Sequence, residues 1–255
     1  MVVAVAFVAG ADGGSALSLG ASMTALQCSI GALNDIHDAS ADAGRVPPKP
    51  IPSGLVSSNA AGAVVVATGV VGLGLAATAG PTVVGLGLIV LSIGYVYDLV
   101  AKGTPWSWLP FALGIPLLPV YGWLGSVGSV PSFFVALVPM AVLAGAALAV
   151  ANARADLEQD RAAGERSIAT NLGDGRAWAV HVGLWVAVLM VAVGWLIGDG
   201  APLAGIVAVI AVGVALLGVA VAGRTGTADS LERVWEAEAV AAGLAAVAWL
   251  AAVVA

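Results

Sequence analysis

The chain has 255 residues, 60% of them hydrophobic and only 9% charged, with a formal net charge of −6 and a mean hydropathy of +1.04. So little polar surface cannot coat a soluble globule of this size, which excludes an ordinary soluble domain and points to a polytopic membrane protein. A single cysteine, Cys28, excludes both an intrachain disulfide and a cysteine metal cluster.

The opening MVVAVAFVAGADGGS offers only about nine apolar residues before a Gly/Asp break, too few to span and without the positive flank of a signal peptide. It reads as the tail of a shortened first helix, through a truncated span or a start codon set too late. Eight apolar runs long enough to cross a bilayer follow, at 13–35, 56–79, 81–99, 108–125, 131–153, 176–198, 202–223 and 237–255. The expected fold is all-α, a helical bundle forming one domain over 1–255. Its many glycines, as in GVVGLGLAATAG, suit close helix packing in lipid.

The nine basic residues fall in alternate connections: Arg45 and Lys49, Lys102, then Arg154, Arg161, Arg166 and Arg176, then Arg224 and Arg233. The positive-inside rule places those connections in the cytoplasm and the C-terminus outside. All fifteen acids but Asp12 and Asp199 share that side.

Acids gather twice. After the first full span comes NDIHDASAD, where Asn34, Asp38 and Asp42 are four apart and fall on one helical stripe, with Asp35 on its edge. The fifth full span ends in NARADLEQDRAAGERSIATNLG, where Asp156 and Asp160 repeat the spacing and Asn152 lies one turn earlier. Like charges on one helix face repel unless a cation lies between them. Oxygen donors without a His/Cys set suit Mg²⁺ completed by substrate phosphate. Asp38, Asp42, Asp156 and Asp160 with a diphosphate carry about −7, so two Mg²⁺ leave roughly −3 for Lys49, Lys102, Arg161 and Arg166 to offset. His37 and His181 are read as surface residues and kept out of the site.

At these residues the chain resembles the UbiA superfamily of intramembrane prenyltransferases. The pattern N-D-x-x-D-x-x-x-D appears as NDIHDASAD followed by PPKPIPSG, D-x-x-x-D with a later G-x-x-[ST] as DLEQDRAAGERSIATNLG, and Tyr then Lys five residues on in YVYDLVAKGTP. The resemblance implies nine helices around a central cavity open to the bilayer, with Mg²⁺ and diphosphate at the cytoplasmic end. Carried over, Asn34, Asp38, Asp42, Asp156 and Asp160 hold two Mg²⁺ ions directly or through the diphosphate, and Asp35 supports them. Lys49, Tyr97 and Lys102 contact the diphosphate, with Arg161 as a further cation beside it. Lys49 stands where arginine is usual, and Gly103 where a second base is common.

The implied reaction is transfer of an isoprenyl group from a polyprenyl diphosphate to a hydrophobic or aromatic acceptor in the cell membrane. An apolar cavity shields the allylic cation from water. Tyr95, Tyr97, Trp106 and Trp108 are candidates to face that cation, although an interfacial belt accounts better for the two tryptophans. The alternatives are a terpene cyclase on the same scaffold and a transporter, whose ionisable groups would lie nearer the midplane on repeated, broken helices. A phosphatidyl-type alcohol transferase is set aside because its D-G-x-x-A-R core is absent. No nucleic-acid partner is expected.

Overall fold

The structure is a computed structural model that describes residues 1–44 and 47–255. Arg45, one of the basic residues used above to orient the chain, lies outside the described residues. Among the described residues every regular element is helical. The short α1 (Val2–Val8) stands beside the first full span, α2 (Gly13–His37). Asp12 caps α2, accepting from the Gly14 and Ser15 amides at 2.8 and 3.1 Å. Next come α3 (Ser58–Ala77) and α4 (Pro81–Val96), the latter prolonged by a wide π turn over Tyr97–Ala101. After these, α5 (Trp108–Gly114) and α6 (Leu117–Val127) share one crossing. Then α7 (Phe134–Ala155) leads through short α8 (Leu157–Ala163) and α9 (Ile168–Leu172) to α10 (Asp174–Gly198), α11 (Leu203–Ala222) and α12 (Ala228–Val254).

Eight of these crossings are long and apolar enough to traverse a bilayer, which makes the chain an integral membrane protein. Two differ from the expected runs. The fourth is broken at Ile115 and Pro116, because proline has no N–H to continue the ladder. The last begins at Ala228 rather than 237, behind a Thr227 cap whose hydroxyl accepts from the Ser230 amide. Charge bars a residue from lipid, not from a helix, so Asp229, Glu232, Arg233, Glu236 and Glu238 all belong to α12.

The central pillar is α7: 67% of its most apolar window is buried, against 22–39% for the other spans. Small residues let its neighbours close on it. At Gly145 a Cβ would lie 2.9 Å from the Cα of Ala112, so glycine is what allows α7 to press on the backbone of α5. Where α2 meets α3, a Cβ on Gly72 would lie 2.8 Å from Leu26 Cγ. There the Ser22 hydroxyl, 2.6 Å from both the Gly72 carbonyl and the Tyr121 phenol, ties three helices together. Ser29 does the same with the Val65 carbonyl (2.6 Å) and Tyr95 (2.7 Å). No water competes for such groups in hydrocarbon, although each bond adds only about 0.6–2 kcal/mol.

At the end of α7, the Arg154 guanidinium is buried and each of its three nitrogens is engaged. Nε donates to Asp174 (2.9 Å), one terminal nitrogen to the Gly223 carbonyl (3.1 Å) and the other to that of Arg224 (3.3 Å). These bonds staple α7 to α10 and to the end of α11. Arg154→Ala is expected to cost about 2–3 kcal/mol, read as a fall of roughly 5–10 °C in the thermal transition of the detergent-solubilised protein. An unchanged transition would remove the staple.

Candidate active site

The last turn of α2 runs into a 3₁₀ turn, Asp38–Ser40, and the Asp42 amide donates to the Asp38 carbonyl at 2.9 Å. The stripe Asn34, Asp38, Asp42 thus survives the end of the α-helix. Across from it, α7 stops at Ala155 and the Asp160 amide donates to the Asp156 carbonyl at 2.8 Å, which keeps those two carboxylates one turn apart.

The π turn supplies what lies between. Its closing bond, from the Lys102 amide to the Tyr97 carbonyl (2.9 Å), spans five residues and gives the Tyr-to-Lys spacing its structural meaning. Lys102 Nζ pairs with Asp38 and donates to Asn34 Oδ1 at 3.2 Å. Lys102 also lines a polar pocket of about 30 Å³ with Tyr97, Asn152, Asp156 and Asp160. Tyr97 at the start of the turn lines the pocket with Asp156 and Asp160, and Lys102 at its end pairs with Asp38, so this one turn meets both acid groups. The ring of Tyr97 meets Phe111 edge to face at 5.2 Å, on the section of α5 that Gly145 allows close to α7.

Other candidates stand apart from this pocket. Lys49 Nζ pairs with Asp42 at 2.8 Å and Asp35 at 3.4 Å. Burial alone would lower the Lys49 ammonium, but the hydrogen bond and charge of Asp42, followed by those of Asp35, hold it above its ordinary 10.5. Arg161 is exposed and does not line the pocket. Tyr95 is committed to Ser29, and Trp106 is 65% exposed, which leaves Tyr97 as the one of the four proposed aromatics that borders the pocket.

Several pocket residues carry no sequence signal of their own. Ser107, Phe111 and Glu165 line it beside Ser167, the last residue of the G-x-x-[ST] pattern, while Asp98, outside the pocket lining and almost fully buried, has one carboxylate oxygen with no hydrogen-bond partner. Gly103 has a reason to replace a base: its φ is +70°, and a Cβ there would lie 2.7 Å from Glu165 Oε2. The Arg166 amide meanwhile donates to the Gly103 carbonyl at 3.1 Å and closes this side of the pocket.

Amide and carboxylate oxygens on two sides form a hard donor set that suits Mg²⁺. Among the described residues no three His, Cys, Asp or Glu side chains gather closely enough to hold a metal alone.

Just below, where Ile115 follows Phe111 by one turn and Leu148 adjoins Ala149, lies an apolar chamber of about 590 Å³. Ala144, Met140 and Leu137 of α7 line it down to Trp249 of α12. Val240 and Leu244 line it too while being 66% and 61% exposed, so the chamber opens sideways along α12. His181 is not at the surface as expected. It is 1% exposed, its Nε2 2.7 Å from Oε2 of the fully buried Glu238, because α12 starts early enough to carry that acid inward.

The UbiA prenyltransferase family model matches residues 1–237. No curated protein matches the chain. In structure it is similar to an apo UbiA homologue from Aeropyrum pernix K1, with a TM-score of 0.76 and 20% identity over 96% of this chain and 93% of that one. It is also similar to a UbiA homologue from Archaeoglobus fulgidus bound to GPP and Mg²⁺, with a TM-score of 0.74 and 17% identity over 99% and 94% of the two chains. A structure of digeranylgeranylglyceryl phosphate synthase has a TM-score of 0.73 and 14% identity over 99% and 93%. These likenesses show that the chain shares the all-helical fold of UbiA homologues.

Because the folded Lys49 ammonium sits above its ordinary value, its contribution is complete below about pH 10.5 and is lost only as pH climbs through the raised value. The stability difference between wild type and Lys49→Met is therefore expected to stay constant from about pH 7 to 9 and to shrink above about 10.5. Thermal unfolding across that range checks it, and a difference already falling near neutrality would contradict the pairing.

Proposed function

The chain belongs to the UbiA prenyltransferase family, and from that premise we propose that it transfers an isoprenyl group from an allylic polyprenyl diphosphate to a lipophilic or aromatic acceptor within the membrane. The observation that carries this reading is Lys102. Its ammonium touches the first acid group and borders the second, directly above a chamber walled by hydrocarbon. The positive-inside distribution supports a cytoplasmic site, with the C-terminus on the opposite side.

Asn34, Asp38 and Asp42 on one side and Asp156 and Asp160 on the other would hold two Mg²⁺ ions. Bound Mg²⁺ would supply charge withdrawal from the leaving diphosphate. Lys102 and Lys49, which neutralise Asp38 and Asp42 in the structure, are then freed to pair with phosphate oxygens as point charges. Tyr97 and Phe111 border the carbon from which the diphosphate departs, and their rings keep water from it. The C–O electron pair leaves with the diphosphate, an electron pair of the acceptor forms the new bond, and the proton the acceptor gives up passes to the released diphosphate. UbiA homologues from Archaeoglobus fulgidus bound to GPP or DMAPP with Mg²⁺ support this use of the site. The side opening favours transfer over cyclisation, since an acceptor can arrive from the lipid.

Asp156→Ala combined with Asp160→Ala is expected to lower Mg²⁺-dependent consumption of geranylgeranyl diphosphate by about 10³-fold or more. The double variant should still insert and keep a cooperative thermal transition. Near-normal turnover by that variant would defeat the reading.

A further inference from the structure

Two ionisable side chains lie deep among apolar helices, away from the carboxylate pocket. His181 of α10 and Glu238 of α12 are 1% and 0% exposed. Such groups are costly in a bilayer and are kept for a purpose. Their bonding is inward only. His181 Nε2 and Glu238 Oε2 are hydrogen-bonded across 2.7 Å, and the indole nitrogen of Trp185 lies 3.0 Å from the imidazole nitrogen and 3.3 Å from the carboxyl oxygen. His181 Nδ1 and Glu238 Oε1 are buried with no hydrogen-bond partner. The bonds the structure gives this pair are thus to each other and to one tryptophan.

That tryptophan faces the chamber. Trp185 packs with Ala144 and Leu148 of α7 and Leu216 of α11, and the same residues line the cavity wall at its upper end. Its depth matches the start of a bound tail. Three backbone bonds span about 3.3–3.6 Å, so a four-bond isoprene repeat spans roughly 5 Å and two repeats about 10 Å. From Asn152 in the polar pocket to Ala144 is eight residues of α7, about 12 Å at 1.5 Å per residue. A two-unit tail therefore ends against Trp185, whereas a four-unit tail continues past Leu189 and Ala192 toward Trp249.

We propose that Trp185 is a specificity-determining residue for the isoprenoid tail, and that His181 and Glu238 are positioning residues that latch its ring across the chamber. This rests on the prenyl diphosphate reading above and extends it. A short tail depends on the latched ring for most of its contact, and a long tail does not.

The test measures binding of geranyl and geranylgeranyl thiodiphosphate, which resist ionisation, to the full chain in lipid nanodiscs with Mg²⁺. The readout is the ratio of the two dissociation constants in one preparation, so the active fraction cancels. Partition of each tail into lipid is common to all variants. Trp185→Ala is expected to raise the ratio of the geranyl to the geranylgeranyl constant about fivefold, and Trp185→Phe, which keeps a ring, to leave it within about twofold. Glu238→Ala, which frees the ring, should move the ratio the same way, and Glu238→Gln, which still accepts from the indole, should restore it. If Trp185→Ala does not accumulate, the Glu238 pair decides. A ratio unchanged in Trp185→Ala, or moved equally by Glu238→Ala and Glu238→Gln, overturns the latch alone. Failure of the wild type to bind either analogue overturns the prenyl diphosphate reading and the latch with it.

Discussion

Acidic side chains crowded at the rim of a hydrocarbon slab repel one another, and the ammonium of Lys102 is what lets two sets of them face one space. The rest of the architecture can be traced from that contact. The π turn sets Lys102 at the right rotation, and the 3₁₀ turn after α2 brings Asp38 to it. Arg154 fixes the end of α7 from which Asp156 and Asp160 hang. Gly145 allows the backbone of α5 close enough to carry Phe111 to the same place. The polar pocket has room for only about two water molecules, and Lys102 is part of its wall.

Below the rim, polar groups obey a stricter rule. Lipid offers no hydrogen bonds, so hydroxyls such as Thr24, Thr68 and Ser92 turn back on their own helix while others tie helices together. Ser22 with Tyr121 and Ser29 with Tyr95 join α2 to α3, α6 and α4, and the Trp249 indole donates to the Ala192 carbonyl at 3.0 Å. The resulting bundle is held by many short tethers on small-residue contacts, with α7 as the member to which most others refer.

The sequence made the spans legible because twenty apolar residues leave few other choices, and the paired acids stood out because so little charge competes with them. What escaped is instructive. Glu238 fell just inside its expected run and was counted with the cytoplasmic acids, because hydropathy marks where lipid begins, not where a helix begins; α12 starts nine residues before that run and carries Glu238 inward. His181 was misjudged for the same reason, since its partner was assigned to another environment. The break at Pro116 was visible as a residue, but apolar flanks hid it. Phe111 and Ser107 are ordinary residues that only the crossing of α5 and α7 makes into pocket walls. Arg161 showed the converse error: a base beside Asp160 in sequence turns outward because neighbours on a helix point 100° apart.

The sideways mouth at Val240 and Leu244 has a kinetic meaning. Whatever enters there comes from a two-dimensional phase, so its supply is governed by mole fraction among neighbouring lipids rather than by molarity in the buffer. Adding detergent or inert phospholipid would thin that supply without touching a single residue, and rates measured at different lipid-to-protein ratios compare only after this dilution has been taken into account.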